Sequence, residues 1–395
     1  MIISRRDFLI SGAIVASGPL AAPAIAGAVQ PSGSALDPSI AERLGELVDG
    51  AVAARSTPGI ALSVWSHGNE VYFRNAGMAN LESESAVAGT SVFRIGSLTK
   101  QFAAALVLKF VSSGALSLSD PAGKYLPFLA RHEPFTVLEL LNHTAGVRDG
   151  DYDTANFETH SQIEVAQRIA RQTPFFDFRP GTAWLYSNAN YMLIGAIIER
   201  VTGKDLAATA KELLFDPLGL GHTAFDASRD VVVGRVSGYT LTRTPERPFQ
   251  NAEYLDVALA GAAGAMHSTA SDLCRWQYVL FNGLALPSPL AAKMIVPGRL
   301  RNGKLAGTNR FSADDKPMGD TQYGLGLMLD SSSTVDKTLI VSHHGGINGF
   351  ASFAASHLAS GLGFACLCNV DTHPALPFRD IRRSVFAAWI SHGGT

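Results

Sequence analysis

The sequence predicts an α/β fold of the α+β type: one antiparallel sheet assembled from both ends of the chain, flanked by terminal helices, with an all-helical subdomain inserted between. Three observations carry this. β-rich runs occur near the start, from Gly59 to Ala76; helical periodicity then holds from Leu98 to about Leu280; strand character returns between Tyr323 and Cys368.

The segment from Ser39 to Ala54 carries Ile40, Leu44, Leu47, Val48 and Val52 at helical spacing and opens the folded part. Gly59–Trp65 and Val71–Ala76, on either side of a Gly-Asn turn at Gly68-Asn69, read as a hairpin. The helical block shows apolar periodicity in 101–113, 136–142, 162–171, 189–201 and 271–280, with Gly and Pro ending most stretches. Strands are expected at Tyr323–Leu329, Thr338–Val341, Gly349–Ala355 and Leu362–Cys368, and an amphipathic helix at Phe378–Ile390. The corresponding division is a sheet subdomain over about 39–96 and 290–395 and a helical subdomain over about 97–289. A cleft between the two is the expected site.

Residues 1–28 read as an export signal: Arg5-Arg6 followed by Phe8-Leu9, a small and apolar run, and Ala24-Ile25-Ala26 at its end. The paired arginines resemble the twin-arginine signal, which implies a periplasmic or secreted protein with no stable membrane span after cleavage. Residues 29–38, rich in Pro, Ser and Gly, form a linker. Thirty-two basic against 34 acidic residues, net −2, give no reason to expect a nucleic-acid partner. Cys274, Cys366 and Cys368 make no disulfide framework and read as buried thiols.

No Gly-x-Ser-x-Gly elbow, His-Glu-x-x-His or complete Gly-x-x-x-x-Gly-Lys-Ser/Thr phosphate loop is present, which removes the commonest hydrolase and nucleotide sites. In Phe93-Arg94-Ile95-Gly96-Ser97-Leu98-Thr99-Lys100, a helix starting at Ser97 puts Lys100 on the face of the hydroxyl. A serine needs a base to take its proton, and a lysine serves once its pKa falls. The plain alternative is a capping serine and a solvated lysine. In Tyr186-Ser187-Asn188, alternate side chains can enter one cleft. A tyrosine near cationic Lys100 has its phenolate favoured and can shuttle a proton, while Asn188 can hold a substrate amide or the amine. The alternative is a packed loop tyrosine. In Ser342-His343-His344-Gly345-Gly346, glycines let a substrate lie along a strand edge and free the Gly346 NH for an oxyanion hole. Adjacent histidines on a strand point to opposite faces, so no metal site is expected, and no cofactor is implied.

The order Ser-x-x-Lys, Tyr-x-Asn, His-x-Gly resembles that of the serine β-lactamase and penicillin-binding-protein superfamily, in the branch with class C β-lactamases, D-aminopeptidases and related esterases. Leu140–Gly146, Phe215–Leu220, Ala263–Leu273 and Tyr323–Gly326 also look like family segments, so the resemblance runs from about residue 40 onward. It implies a β-lactamase/transpeptidase-like fold. It also implies Ser97 as the acylated residue, Lys100 and Tyr186 sharing the proton traffic, and Asn188, His343 and Gly345 contacting substrate. The backbone NH groups of Ser97 and Gly346 would form the oxyanion hole. His143 and Asp272 are assigned structural roles and His222 a surface turn.

Where β-lactamases and cell-wall peptidases carry Lys-Thr-Gly, this chain has His343, mostly neutral at pH 7 at its ordinary pKa. A substrate carboxylate would then be held weakly or in a pH-dependent way. The expected function is a periplasmic serine hydrolase acting on an amide, D-aminoacyl peptide or ester, with a small molecule or peptide as its partner. The alternatives are a true β-lactamase or DD-carboxypeptidase, or a slowly deacylating penicillin-binding sensor.

Overall fold

A computed structural model describes residues 36–150, 161–311, 321–332, 334 and 337–388. The export signal, most of the linker and the end of the closing segment lie outside the described residues.

Among the described residues the main sheet holds eight strands in the order β3-β2-β1-β13-β12-β11-β10-β9. They are β1 Gly59–Ser66, β2 Asn69–Asn80, β3 Ser85–Ala86, β9 Gln322–Tyr323, β10 Met328–Asp330, β11 Ile340–Ile347, β12 Phe350–His357 and β13 Leu362–Cys368. Two smaller sheets join β4 Phe93–Arg94, β8 Met266–Ser268 and β5 Ala224–Phe225, and pair β6 Tyr239–Leu241 with β7 Phe249–Asn251. The paired neighbours run antiparallel, and β1 against β13 closes the two chain ends into one layer, as expected.

The helices are α1 Pro38–Ala53, α2 Thr99–Ser112, α3 Val137–Leu141, α4 Gln162–Arg171, α5 Asn188–Thr202 and α6 Leu206–Ala210. They continue with α7 Asp216–Leu218, α8 Gly261–Gly264, α9 Ala270–Phe281, α10 Ser288–Met294 and α11 Phe378–Val385. β13 is buried along its whole length because both faces of the sheet are covered. Phe364, Cys366 and Cys368 face a core shared with α1 and α11, while Ala365 and Leu367 face the core shared with α2, α5 and α9. All three cysteines are free and buried. α1 starts where Asp37 accepts from the Ser39 NH at 2.8 Å and Pro38 presets the first turn, and it buries Leu44, Val48 and Ala51.

Two expectations are corrected. The hairpin turns at His67-Gly68, with φ of 49° and 86°, so Asn69 and Glu70 already belong to β2. A two-residue turn matching the strand twist needs positive φ at both positions, which outweighs the Gly-Asn signal one residue later. The single strand expected over Tyr323–Leu329 is broken into β9 and β10, with Gly326 at φ 72° between them. An added Cβ at Gly326 would lie 2.7 Å from the Lys100 carbonyl oxygen, so this kink lets the chain pass over the start of α2.

Candidate active site

α2 buries Thr99 through Leu108 without interruption. A helix apolar nearly all round belongs inside a protein, and this one carries Lys100 in with it. The preceding residues Gly96–Leu98 form a 3₁₀ turn, so Ser97 sits just before the α-helix. The three-residue offset still brings Lys100 Nζ to 2.9 Å from Ser97 Oγ.

Two further acceptors complete the surroundings of that nitrogen: Asn188 Oδ1 at 2.9 Å and the Ala263 carbonyl at 2.7 Å. Three acceptors suit an ammonium. Equally, a neutral amine can donate to Asn188 and Ala263 and keep its lone pair for the Ser97 proton. Complete burial moves the balance toward that neutral form, lowering the Lys100 pKa from 10.5 to about 7 against the opposing pull of the Asp149 carboxylate. The shift corresponds to roughly 4–5 kcal/mol favouring the neutral amine.

Tyr186 donates to Ser97 Oγ at 2.8 Å, and its ring lies 4.8 Å from Lys100 Nζ. Its phenol is pushed up by burial, partly countered by the Ser97 hydrogen bond. The expected phenolate is therefore corrected: desolvation of the negative form outweighs a neighbouring amine that is itself driven neutral. Asn188, the first residue of α5, turns its amide NH₂ to Asp149 at 3.0 Å, which fixes its oxygen toward Lys100. Asp149 also accepts from the backbone NH groups of Asn188 at 3.0 Å and Ala189 at 3.3 Å, capping α5.

Beneath this pair lies His143, fully buried, with φ 62°. Its Nδ1 faces the Ser187 NH at 3.3 Å and the Asn190 side-chain amide at 3.1 Å, and its ring packs 4.4 Å from that of Tyr186. Burial keeps the imidazole neutral. It supports the Tyr186 loop from below. Asp272, at the start of α9, accepts from the His222 NH and Thr223 hydroxyl, both at 2.9 Å, and His222 is exposed.

β11 runs past the nucleophile turn at very close range. An added Cβ on Gly345 would lie 2.0 Å from the Ile95 carbonyl oxygen, and one on Gly96, at φ 51°, would lie 2.8 Å from Gly346 N. Ser352 on β12 ties the layers together by donating to Ile95 O at 2.8 Å. The backbone of Gly346 is thus brought beside the Gly96–Ser97 peptide. Three residues before Gly346, His343 is 1% exposed, with Nε2 facing the Tyr323 hydroxyl at 3.0 Å and Nδ1 facing the His344 carbonyl at 2.6 Å. Burial and the nearby Lys100 lower its pKa to about 3. The weak or titrating cationic anchor expected at this position is corrected to a neutral ring with both nitrogens engaged. His344 points the other way and stacks on Phe353 at 4.1 Å.

A model of one family, Beta-lactamase, matches residues 44–388. The chain belongs to the beta-lactamase family. Esterase EstB of Burkholderia gladioli is 33% identical over 220 residues, 51% of this chain and 55% of that one. A penicillin-binding protein of Bacillus subtilis is 26% identical over 307 residues, 74% of this chain and 63% of that one. The chain thus spans between about half and two-thirds of the length of these curated relatives. Among solved structures, a D-stereospecific amidohydrolase from Streptomyces superposes with a TM-score of 0.71 at 26% identity, covering 88% of this chain and 99% of that one.

The structure brings Ser97, Lys100, Tyr186 and Asn188 into one hydrogen-bonded group and sets Gly345 and Gly346 against it. Sequence reasoning missed Asp149, the Ala263 carbonyl and Tyr323. Ala263 and Tyr323 stood inside segments already noted for their resemblance, whereas Asp149 lies 39 residues before the α5 N-terminus it caps and carries no local signal.

Proposed function

We propose that this chain is a serine hydrolase that forms an acyl-enzyme on Ser97 and hydrolyses an ester or amide, including D-aminoacyl amides. One observation carries the reading: Ser97 Oγ lies within hydrogen-bond distance of both a fully buried lysine with a pKa near 7 and a protonated tyrosine.

In this reading neutral Lys100 takes the hydroxyl proton as Ser97 Oγ attacks the carbonyl carbon. The oxyanion is met by the NH groups of Ser97 and Gly346. Tyr186 gives its proton to the departing oxygen or nitrogen and is reprotonated from Lys100, leaving an ester on Ser97. Water then attacks that ester while giving a proton to the same pair, which passes it to the departing Ser97 oxygen and so frees the carboxylic acid and restores the hydroxyl. Because His343 is neutral, the site supplies no cation there for a carboxylate beside the scissile bond. This shifts preference from penicillins and D-Ala-D-Ala termini toward esters and D-aminoacyl amides, the chemistry named for the esterase and amidohydrolase relatives. The paired arginines Arg5-Arg6 support action beyond the inner membrane.

The test compares wild type with Ser97→Ala on p-nitrophenyl butyrate, D-alanyl p-nitroanilide and a chromogenic cephalosporin, with intact-mass detection of an acyl adduct. Wild type should turn over the first two faster than the third and carry the adduct, and Ser97→Ala should lose both properties. Unchanged activity in Ser97→Ala defeats the assignment, and a cephalosporin rate matching the ester identifies a true β-lactamase instead.

A further inference from the structure

The N-terminus of α5 is capped from a distance. Ser187 stands at the N-cap position but makes no side-chain cap bond, and Asp149, 39 residues before Asn188, accepts from the NH groups of Asn188 and Ala189 instead. A neutral serine or asparagine caps a helix about as well as an aspartate does. Capping therefore accounts for an acceptor here and leaves the charge of the carboxylate to be explained. Three donors that hold it, these two and the Asn188 side-chain amide at 3.0 Å, are uncharged NH groups, which fix its position and leave its charge intact. The adjacent cation, Arg148, is turned toward Asp177 at 3.8 Å, and Asp149 itself is exposed.

The bonded path places this carboxylate relative to the nucleophile. Asp149 Oδ2 is 3.0 Å from Asn188 Nδ2, Asn188 Oδ1 is 2.9 Å from Lys100 Nζ, and Lys100 Nζ is 2.9 Å from Ser97 Oγ. With about 2.3 Å across the amide, the carboxylate lies within about 11 Å of Ser97 Oγ. Its field reaches the reacting groups: burial is the larger influence at Lys100 and at Tyr186, and the Asp149 charge opposes it at the first and adds to it at the second. In an attacking pose the acyl carbon sits about 3 Å from the hydroxyl oxygen, an α-amino nitrogen about 2.5 Å further, and a carboxylate that binds it about 3 Å beyond. That span of about 8 Å fits inside the limit set by the path.

We infer that Asp149 is a specificity-determining residue that binds the free α-ammonium of the acyl group, so that the site favours aminoacyl amides and esters over N-acylated or simple acyl ones. The inference rests on the proposed reading of Ser97 as the attacking group and adds to it the charge that selects among substrates.

Alanyl p-nitroanilide, in whichever enantiomer wild type turns over faster, is compared at pH 7 with isobutyryl p-nitroanilide, in which a methyl group replaces the ammonium. Wild type should favour the alanyl compound in kcat/KM. Asp149→Asn should lower that preference about tenfold, the effect of one hydrogen bond to a charged group, and chiefly through KM, because the ammonium is present in substrate and transition state alike. A changed Lys100 pKa or a loosened α5 acts on both substrates and cancels from the ratio. The inductive effect of the ammonium is the same in both enzymes. In wild type, about 0.5 M salt should weaken the preference, since an exposed ion pair is screened. A preference absent from wild type, unchanged in Asp149→Asn or untouched by salt would overturn the inference. Each of those results is compatible with an acyl adduct on Ser97, whose loss in Ser97→Ala tests the underlying reading separately.

Discussion

If neutral Lys100 is the base, the acylation rate follows the fraction of Lys100 that is unprotonated. With a pKa of about 7, that fraction is roughly one-half at pH 7, one-tenth at pH 6 and one-hundredth at pH 5. The value of kcat/KM for p-nitrophenyl butyrate, whose ionisation does not change over this range, should therefore climb about tenfold per pH unit up to about pH 7 and level off above pH 8. Two variants identify the titrating group. Asp149→Asn removes the carboxylate that opposes the fall in the Lys100 pKa, so the inflection should move to lower pH. His343→Gln should leave the inflection where it is, because His343 is already neutral above about pH 3. The assay is initial rate at low substrate from pH 5 to 9, in buffers of constant ionic strength. A flat profile, or an inflection that disappears in His343→Gln while Asp149→Asn leaves it in place, refutes the assignment of the base.

Replacement of Lys100 by Met should abolish acylation and also change how stability depends on pH. Between about pH 7 and 10.5 the unfolded chain holds a proton on this amine that the folded chain has released, so wild-type stability rises with pH. From pH 6 to 9 wild type should gain about 2.5 kcal/mol relative to Lys100→Met; denaturant titrations at the two pH values measure it, and parallel curves contradict the burial argument. Tyr186→Phe should cost on the order of 10²–10³ in kcat/KM for D-alanyl p-nitroanilide. Its effect on the p-nitrophenyl ester should be smaller, since that leaving group departs without a proton, and equal losses would reject Tyr186 as the donor. Gly345→Ala forces β11 from Ile95, where the added carbon would lie 2.0 Å from the carbonyl oxygen. Activity should fall at least about 100-fold and stability by about 1–3 kcal/mol, and wild-type rates in that variant would show that the strand does not need its close approach to the Ser97 turn.

Most of the scaffold could be read from periodicity because its elements are long and consistent: α2, α5 and β13 fall within two residues of their expected limits. The misplaced turn and the broken strand share a cause, since both depend on single residues at positive φ whose conformation follows from what the chain must pass. The order of motifs located the polar group at the site. Its protonation states were less accessible, because sequence reports which charges are near one another but not how much solvent they have lost. For Lys100 both considerations favour a lowered pKa. For Tyr186 they oppose each other, and burial prevails. Backbone groups such as the Ala263 carbonyl leave no side-chain signature, and Asp149 has an unremarkable local sequence whose meaning comes from the α5 N-terminus it caps.

Burying this amine costs folding free energy in full below about pH 7 and progressively less up to about pH 10.5, and the arrangement makes functional sense only if the amine's lone pair is used. That constraint bears on His343 as well. A permanent cation at its position would add a positive charge close to Lys100 and push its pKa still lower, whereas a neutral histidine held by Tyr323 and the His344 carbonyl adds none. The nearest fixed charge bonded to the site is then the exposed Asp149 carboxylate, on the Asn188 side. Around Ser97 the resting groups above pH 7 are a neutral amine, a phenol, a hydroxyl and an imidazole, with negative charge at one margin. A substrate bearing a carboxylate gains little from such a surface, while a neutral ester or an amide with a free amino group is not penalised. On the proposed reading of Ser97 as the attacking group, the neutral His343 and the lowered Lys100 pKa therefore act together to set which substrates it favours.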